Sequence, residues 1–527
     1  MATTEAALSS IAGKSSARPS ALAGALLCSI LTPVAVGVHG YHPYVEDGGL
    51  YLAGIKRLLN PHLYPYWSGF VTTHLKFSLF APMVAGAVRL SHIELMTVML
   101  LLYVGSMWLT LFAGWLLASR CTFSVRQCTG AVTVLALTLT IPVAGTSLML
   151  MDPYVTARSL STPCGILMVV GALDALAAWT DRDEVAWKAI VLCAGSFGFA
   201  AVLHPLMAAY SLGFVLLLVC AWIPERRARI AAQVGLCAIA IAVAGCLERL
   251  GPANTLAYAE VARTRTYWFL SQWQWYELVG LAGPVAVLFF ISSGNGTRYA
   301  GRRLSRASIL AALTSVAVAL LFARVNARSY EVARLQPLRI FLTVYLLMLL
   351  AVGAFLAERV LKRSIWRWGV LIAVAGAAMA IAQRSTFPSS GHIEWPGSAP
   401  RNAWELAFIW ARTHTPEDAV FALDANYIRL VDEDSQNFRA IAERSMLPDE
   451  AKDGGVASIA PALTDQWMRG KTAQTGLDRG VGAADAARLR ALSASWVVVR
   501  RATPTAFPCS YENASVKVCP LPFQLAR

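Results

Sequence analysis

Long runs of apolar residues, each close to the length that crosses a lipid bilayer, recur in this chain up to residue 383. A helix needs about 20 mostly apolar residues to cross the hydrocarbon core, and helices satisfy all their backbone polar groups there. The chain is 57% hydrophobic and only 14% charged, whereas about 25% of residues are charged in soluble domains. The sequence therefore predicts an α-helical polytopic membrane protein.

Eleven transmembrane helices are predicted from these runs. They cover residues 21–38, 95–118, 129–150, 160–179, 188–203, 205–223, 230–247, 277–293, 307–323, 338–357 and 367–383. A further apolar stretch, residues 77–90, contains Pro82 and is too short for an ordinary span. Its length is more typical of an interfacial or re-entrant helix.

The positive charges of the loops predict the orientation of the spans. Cytoplasmic loops are enriched in Lys and Arg, and the most basic loops contain Arg227, Arg302 and Lys362. The basic N-terminal tail, residues 1–20, lies on the same side of the membrane as these loops only if residues 77–90 do not cross the membrane. We therefore expect a multi-pass protein of the cell (inner) membrane with a cytoplasmic N-terminus. The transmembrane domain then spans residues 21–383 and has a long first external loop, residues 39–94.

Residues 384–527 are predicted to form a soluble extracytoplasmic α/β domain. Prolines give its first residues the composition of a linker. Helices are predicted at 403–412 and 483–492, and strands at 419–423, 496–500 and 515–520. The intervening segment 449–482 is rich in Gly and Asp, and we expect it to be mobile.

The ten cysteines divide into two groups. Cys509 and Cys519 flank a short polar turn in the soluble domain, which predicts a disulfide and an oxidising compartment. The other eight lie in or beside apolar spans without metal-ligand spacing and are predicted to be buried hydrophobic side chains.

The net charge of +14 bears on lipid contacts and topology. No cluster of basic residues is interleaved with aromatics in the way a nucleic-acid-binding surface requires. We therefore expect membrane lipids, and no nucleic acid, as partners.

Polar residues at the predicted external ends of the spans are the candidate functional groups. A carboxylate can take a proton from an attacking hydroxyl, and Arg binds phosphate through paired hydrogen bonds. The candidate catalytic acids are Glu46, Asp47 and Asp152, and the candidate substrate-binding residues are Arg158, His204, Arg334, Arg339, His42 and Tyr44. Because all these residues lie on the same predicted side of the membrane, the sequence predicts a reaction on a phosphorylated lipid.

Each candidate also has a simpler explanation. The aromatic residues between 267 and 276 are typical of an interfacial belt. The simpler roles are a helix cap for Glu46 and Asp47, a turn for Asp152, snorkelling for Arg158, a helix break for His204 and helix anchoring for Arg334 and Arg339. Helix capping alone does not explain why acids and bases share one side.

Three segments carry a resemblance to a known superfamily. They are YVEDGGLYLAGI at 44–55, the apolar stretch at 77–90, and MDPYVTARS at 151–159. This arrangement resembles the GT-C superfamily of integral-membrane glycosyltransferases, which carry an acidic pair in the first external loop, followed by membrane-surface helices. The trailing α/β domain is similar to the external domains of some members. The resemblance covers the architecture of most of the chain and identifies no single family.

The resemblance implies a polyprenyl-phosphate-linked sugar as donor and inversion at the anomeric carbon. Asp47 would be the general base, and Arg158 with Arg339 or Arg334 would stabilise the leaving lipid phosphate. Glu46 or Asp152 would hold an optional divalent cation, Mg or Mn. The acceptor is left open between a glycan, a lipid and a protein.

Three other functions remain open from the sequence. A transporter or lipid flippase also needs many helices, but the predicted spans hold few ionisable residues near their centres and show no two-half pattern of interrupted helices. A polymerase or ligase of cell-surface polysaccharide would use similar donors. A non-catalytic assembly protein would use the external loops as a docking surface.

Overall fold

The computed structural model describes residues 18–182, 184–293, 297–430 and 433–522. In that part of the chain, nine helices are long and apolar enough to cross a membrane. They are Ala21–His39, Leu95–Cys121, Ala157–Thr180, Pro205–Trp222, Arg226–Leu250, Trp275–Ser293, Tyr299–Phe322, Glu331–Leu361 and Ile365–Thr386. The prediction of a helical protein with many membrane-length helices and a small C-terminal sheet domain is confirmed.

The α-helices are numbered in chain order. They are α1 Ala21–His39, α2 Glu46–Leu59, α3 Gly69–Thr72, α4 Phe80–Ser91, α5 Leu95–Cys121, α6 Val125–Leu137, α7 Ala157–Arg182, α8 Trp187–Leu203, α9 Pro205–Trp222, α10 Arg226–Leu250, α11 Leu256–Arg263, α12 Trp275–Ser293, α13 Tyr299–Phe322, α14 Glu331–Leu335, α15 Phe341–Leu356, α16 Ile365–Thr386, α17 Ala403–His414, α18 Phe438–Ala442, α19 Lys452–Ile459, α20 Thr464–Gln474 and α21 Ala483–Arg490. Shorter helical turns lie at His74–Phe77, Thr266–Trp268, Leu270–Gln272, Pro337–Ile340, Ala357–Leu361, Tyr427–Arg429 and Pro461–Leu463.

The count of eleven spans is not confirmed, because two of the predicted spans are short helices. Helix α6 ends at Leu137, and α8 has 17 residues. The apolar run at 129–150 leaves the helix after α6 and forms a tight turn, closed by a bridge between Pro142 and Met149. Its side chains are apolar because the turn is mostly buried inside the protein. Hydropathy alone does not distinguish such a turn from a span.

The predicted surface helix at 77–90 corresponds to α4. The helical segment before it, Gly69–Phe77, meets α4 at an angle of 96°. The Ser78 hydroxyl donates to the Leu203 carbonyl at 2.5 Å, and the Leu79 N–H donates to the Val202 carbonyl at 3.1 Å. The bend is therefore held against the end of α8, beside His204. If this bent pair is one span, the described helices give up to ten spans.

The C-terminal domain is built on a five-stranded sheet in the order β2-β1-β3-β5-β4. The strands are β1 Val420–Ala422, β2 Ser445–Met446, β3 Trp496–Arg500, β4 Tyr511–Glu512 and β5 Val516–Pro520. Strands β2, β1 and β3 are parallel, while β5 and β4 run antiparallel to their neighbours. The predicted disulfide between Cys509 and Cys519 is present.

The Gly- and Asp-rich segment at 449–482 does not agree with the expectation of a mobile loop. It contains α19 and α20, and its Trp467 and Asp453 are fully buried. A Cβ atom at position 454 would lie 3.1 Å from both the Arg265 guanidinium and the Trp467 indole nitrogen. Glycine therefore permits close packing here.

The C-terminal domain packs directly on the loops at one end of the helical bundle. Lys56 of α2 donates to the Ala440 carbonyl at 2.8 Å and lies 2.7 Å from Oε1 of Glu443. The Tyr41 carbonyl accepts a bond from the N–H of Glu394. These contacts join regions that are more than about 350 residues apart in sequence.

Candidate functional site

A cavity of about 1110 Å³ lies between the loops of the helical bundle and the C-terminal domain. Among the described residues, seven cationic and three acidic side chains line it. They are Lys76, Arg158, Arg265, Arg334, Arg339, Arg429 and Lys452, together with Glu46, Asp47 and Glu277. This excess of positive charge favours an anionic ligand.

The acid pair begins helix α2. The residue before it, Val45, makes no side-chain cap, so neither acid acts as the N-cap. The Lys452 ammonium lies 3.0 Å from Oδ1 of Asp47 and is also ion-paired with Glu46. The side chains of Glu46 and Asp47 remain 52% and 42% exposed. Both carboxylates therefore face the cavity and share one cation.

The two glycines after the acids explain how other segments come so close. A Cβ at position 49 would lie 2.2 Å from the Cβ of Asn437, and one at position 48 would lie 3.0 Å from the side chain of Tyr154. Glu46 itself has φ of +49°, a region that costs a non-glycine residue of order 1–3 kcal/mol. The surrounding packing holds the start of α2 in this conformation.

The ion pair sets the charge state of Asp47. The Lys452 ammonium is the main cause that lowers the pKa of Asp47 to about 2, and Arg158 and Arg339 contribute, while burial opposes the shift. Asp47 is therefore ionised at neutral pH and able to accept a proton.

Asp152 lies behind the cavity surface rather than on it. Its carboxylate forms a buried ion pair with Arg158, which does line the cavity. Burial raises the pKa of Asp152, and the guanidinium opposes that rise. Asp152 therefore orients Arg158, because a buried carboxylate fixes its partner through charge-assisted hydrogen bonds.

His204 lies at the break between α8 and α9 and lines the cavity. Its Nδ1 accepts the N–H of Met207 at 3.4 Å and so caps α9. Burial beside Arg339 and Arg158 lowers the pKa of His204 to about 3. The ring is therefore neutral, and with Nδ1 as acceptor its proton is on Nε2, which is a hydrogen-bond donor.

Arg334 and Arg339 both line the cavity but differ in their surroundings. Arg334 pairs with Glu331 one helical turn away. The Nε of Arg339 is buried and lacks a hydrogen-bond partner among the described residues. Buried polar groups are nearly always satisfied, so Arg339 is the stronger candidate for binding an anion.

His42 and Tyr44 do not line the cavity. The Nδ1 of His42 lies 3.0 Å from Oε1 of Glu394, and its ring packs at 4.2 Å on Phe387. The Tyr44 carbonyl accepts the N–H of Asn437. These residues join the first loop to the C-terminal domain and are not placed to contact a ligand in the cavity.

Lys452 and His74 line the cavity but are not among the sequence candidates. Lys452 belongs to segment 449–482, for which the sequence predicts a mobile loop. Nothing in the sequence therefore predicts that Lys452 contacts the acid pair. His74 lies beside α2, with its ring 5.3 Å from that of Tyr51. Both its nitrogens are buried without a partner in the described part of the chain. Its position in the first loop was the only available signal.

The donor set does not fit a divalent cation. Asp47 and Asp152 are each paired with a basic side chain. Within the described ranges, no group of three or more His, Cys, Asp and Glu side chains is placed to hold a metal ion.

The chain matches no protein-family model and no curated protein. Its function is therefore argued from the fold and the cavity.

Proposed function

We propose that the protein is a membrane glycosyltransferase that transfers a sugar from a polyprenyl-phosphate donor to an acceptor hydroxyl. The observation that carries this proposal is one cavity with an ionised carboxylate, Asp47, and several guanidinium groups. The carboxylate supplies a proton acceptor, and the guanidinium groups supply binding for a phosphate. The resemblance of the acid pair and its loop to the GT-C superfamily supports the same function.

Asp47 acts as the general base. The acceptor hydroxyl forms a bond to the anomeric carbon and gives its proton to the Asp47 carboxylate, while the bond between that carbon and the phosphate oxygen breaks. The bonding electrons leave with the phosphate, and the configuration inverts because the hydroxyl attacks the face opposite the phosphate. Glycosyl transfer passes through an oxocarbenium-like transition state, and the hydroxyl becomes acidic only as its new bond forms. A carboxylate with a low pKa is then a sufficient base.

The leaving lipid phosphate is stabilised by the basic side chains of the cavity. Arg158 is held by Asp152, and Arg339 has unused hydrogen-bonding capacity. His204 can donate its Nε2 proton in a hydrogen bond to the same phosphate. Oriented donors of this kind stabilise charge that develops in a transition state. Glu46 neighbours the base and shares its lysine.

The proposal places the cavity and the C-terminal domain on the extracytoplasmic face of the cell membrane, with the N-terminus inside. The charge distribution of the loops supports this orientation, and the disulfide in the C-terminal domain is typical of an oxidising compartment. A donor carried by a membrane lipid would reach the cavity from the bilayer.

The test is turnover by the purified protein in lipid vesicles. The protein is supplied with a panel of polyprenyl-phosphate sugars and candidate acceptors, and mass spectrometry measures the release of polyprenyl phosphate. We expect wild-type protein to release it and Asp47→Asn to lose at least a hundredfold in rate, the lower part of the range for a general base. Asp465→Asn, an exposed acid that does not line the cavity, is the matched control. Turnover by Asp47→Asn at the wild-type rate would reject the assignment.

A further inference from the structure

The strongest contact between the C-terminal domain and the acid pair is made by Lys452. Its side chain is 15% exposed, far less than those of Glu46 and Asp47, which it contacts. Burying an ammonium group costs several kcal/mol unless it is paired. Two carboxylates therefore stabilise the lysine in a position that also borders the cavity.

The local structure of the C-terminal domain does not explain a lysine at this position. Lys452 is the first residue of α19, and a cation at a helix N-terminus is unfavourable in the field of the helix dipole. The neighbouring acid, Asp453, is the residue that suits this helix end. The favourable partners of Lys452 are instead on α2.

A rigid support holds Lys452 in place. The Lys452 N–H donates to Oδ1 of Asp449 at 2.5 Å. Asp453 is fully buried and accepts two bonds from Arg439, at 2.8 and 2.9 Å. Arg265, from the loop before α12, donates to the Ala451 carbonyl at 2.6 Å. The lysine is therefore fixed from both domains.

From this geometry we propose that Lys452 is a positioning residue of the catalytic centre, so that the site is complete only when the C-terminal domain is docked. Lys452 keeps the Asp47 carboxylate oriented toward the cavity and stabilises its negative charge. The role rests on the proposed function of Asp47, but the contact itself can be tested without any substrate.

Other charged and titratable groups also face Asp47. They are Glu46 and Tyr51 on its own helix, and His74, Asp152, Tyr154, Arg158 and Arg339 from other segments. Lys452 has the largest effect on the pKa of Asp47. Arg158 is already paired with Asp152, which reduces its influence. Loss of Lys452 therefore leaves Asp47 with weaker stabilisation of its charge, and the pKa of Asp47 should rise.

The experiment measures the protonation of Asp47 by chemical modification. A hydrophobic carbodiimide reacts with protonated carboxyl groups, and peptide mass spectrometry quantifies its adduct on Asp47 in the full-length protein between pH 4 and 8. In Lys452→Met we expect the modified fraction at a given pH to increase by about tenfold for each unit by which the pKa rises. Lys452→Arg retains the charge and should remain near wild type. Lys517→Met, on β5 of the same domain and outside the cavity lining, is the matched control.

The outcomes separate this proposal from the proposed function. Both proteins must show a thermal unfolding transition, which establishes that they are folded. Equal carbodiimide modification of Asp47 in wild type and Lys452→Met then overturns the role of Lys452, whether or not the protein transfers sugar. A shift in modification without turnover in any variant supports the role of Lys452 as the partner of Asp47 and counts against the transferase. If turnover is measured, the acidic limb of the rate profile should move to higher pH in Lys452→Met and return in Lys452→Arg. An unchanged profile would reject the positioning role.

Discussion

The ammonium of Lys452 lies 3.0 Å from Oδ1 of Asp47, although the two residues are 405 positions apart in the chain. One belongs to the α/β domain and the other to the first loop of the helical bundle. The contact borders a cavity in which acidic and basic side chains from several separate regions of the chain meet. The chemistry proposed for the protein therefore depends on how its two domains are joined.

The ion pair between Asp152 and Arg158 gives the first prediction. Both side chains are buried, so Arg158→Met leaves an unpaired buried carboxylate and should reduce the free energy of unfolding by about 3–5 kcal/mol. Chemical unfolding in detergent measures this loss. The double variant Asp152→Asn, Arg158→Met removes both charges and should recover part of the stability. Additive losses would contradict the pairing.

The unsatisfied guanidinium of Arg339 gives the second prediction. Arg339→Gln should leave the fold intact and weaken binding of polyprenyl phosphate by about tenfold to a hundredfold, since a hydrogen bond to a charged group contributes about 1.5–3 kcal/mol. Binding is measured by titration of the lipid into protein in nanodiscs. Arg324→Gln, an exposed arginine of the same loop that does not line the cavity, is the control. Equal losses of affinity in the two variants would contradict a specific role for Arg339 and indicate a general effect of positive charge.

Residues that join the domains should make stability depend on pH. Burial raises the pKa of Glu394 to about 8, compared with 4.5 in the unfolded chain. Between these values the unfolded state binds fewer protons, so stability falls as pH rises. The pKa of His42 is lowered by burial to about 4, so its opposite effect operates below about pH 6.5.

The window from pH 6.5 to 8 therefore excludes the opposite effect of His42 and retains that of Glu394. We expect the midpoint of thermal unfolding to fall across this window in wild type and to fall less in Glu394→Gln. Glu405 and Asp449, whose pKa values are raised by burial to about 8 and about 7, contribute to the remaining dependence. A wild-type midpoint that rises from pH 6.5 to 8 would contradict this assignment.

The proposed orientation gives a fourth prediction. In intact cells, an impermeant maleimide should label Glu417→Cys, which lies in an exposed turn of the C-terminal domain. Arg227→Cys, at the basic N-terminal end of α10, should be labelled only after the cells are permeabilised. The reverse pattern would invert the topology and place the cavity in the cytoplasm.

Much of the architecture could be predicted because local sequence determines it. The β-branched run Trp496–Arg500 is β3 at the predicted bounds, and the disulfide joins the two cysteines of the polar turn. Most membrane-length helices follow the apolar runs, since about 20 apolar residues have few other stable arrangements. The acid pair was identified from its place beside the first span.

The rest of the site depends on contacts between distant segments. The predicted span 129–150 includes the turn after α6, because buried turns and spans are both apolar. The sequence does not predict the role of Lys452, because its segment has a loop-like composition. In the structure, Gly454 and Gly470 permit close packing in that segment. The sequence predicts His42 and Tyr44 as substrate-binding residues, but their contacts are with the C-terminal domain and its linker.

The central claim is that the cavity beside Asp47 binds a lipid-linked sugar phosphate. The most direct measurement is an electron cryo-microscopy structure of the protein in nanodiscs with bound polyprenyl phosphate. The proposal predicts phosphate density within hydrogen-bonding distance of Arg158 or Arg339, with the Asp47 carboxylate facing the space next to it. Phosphate density outside the cavity, with Asp47 remote from it, would contradict the claim.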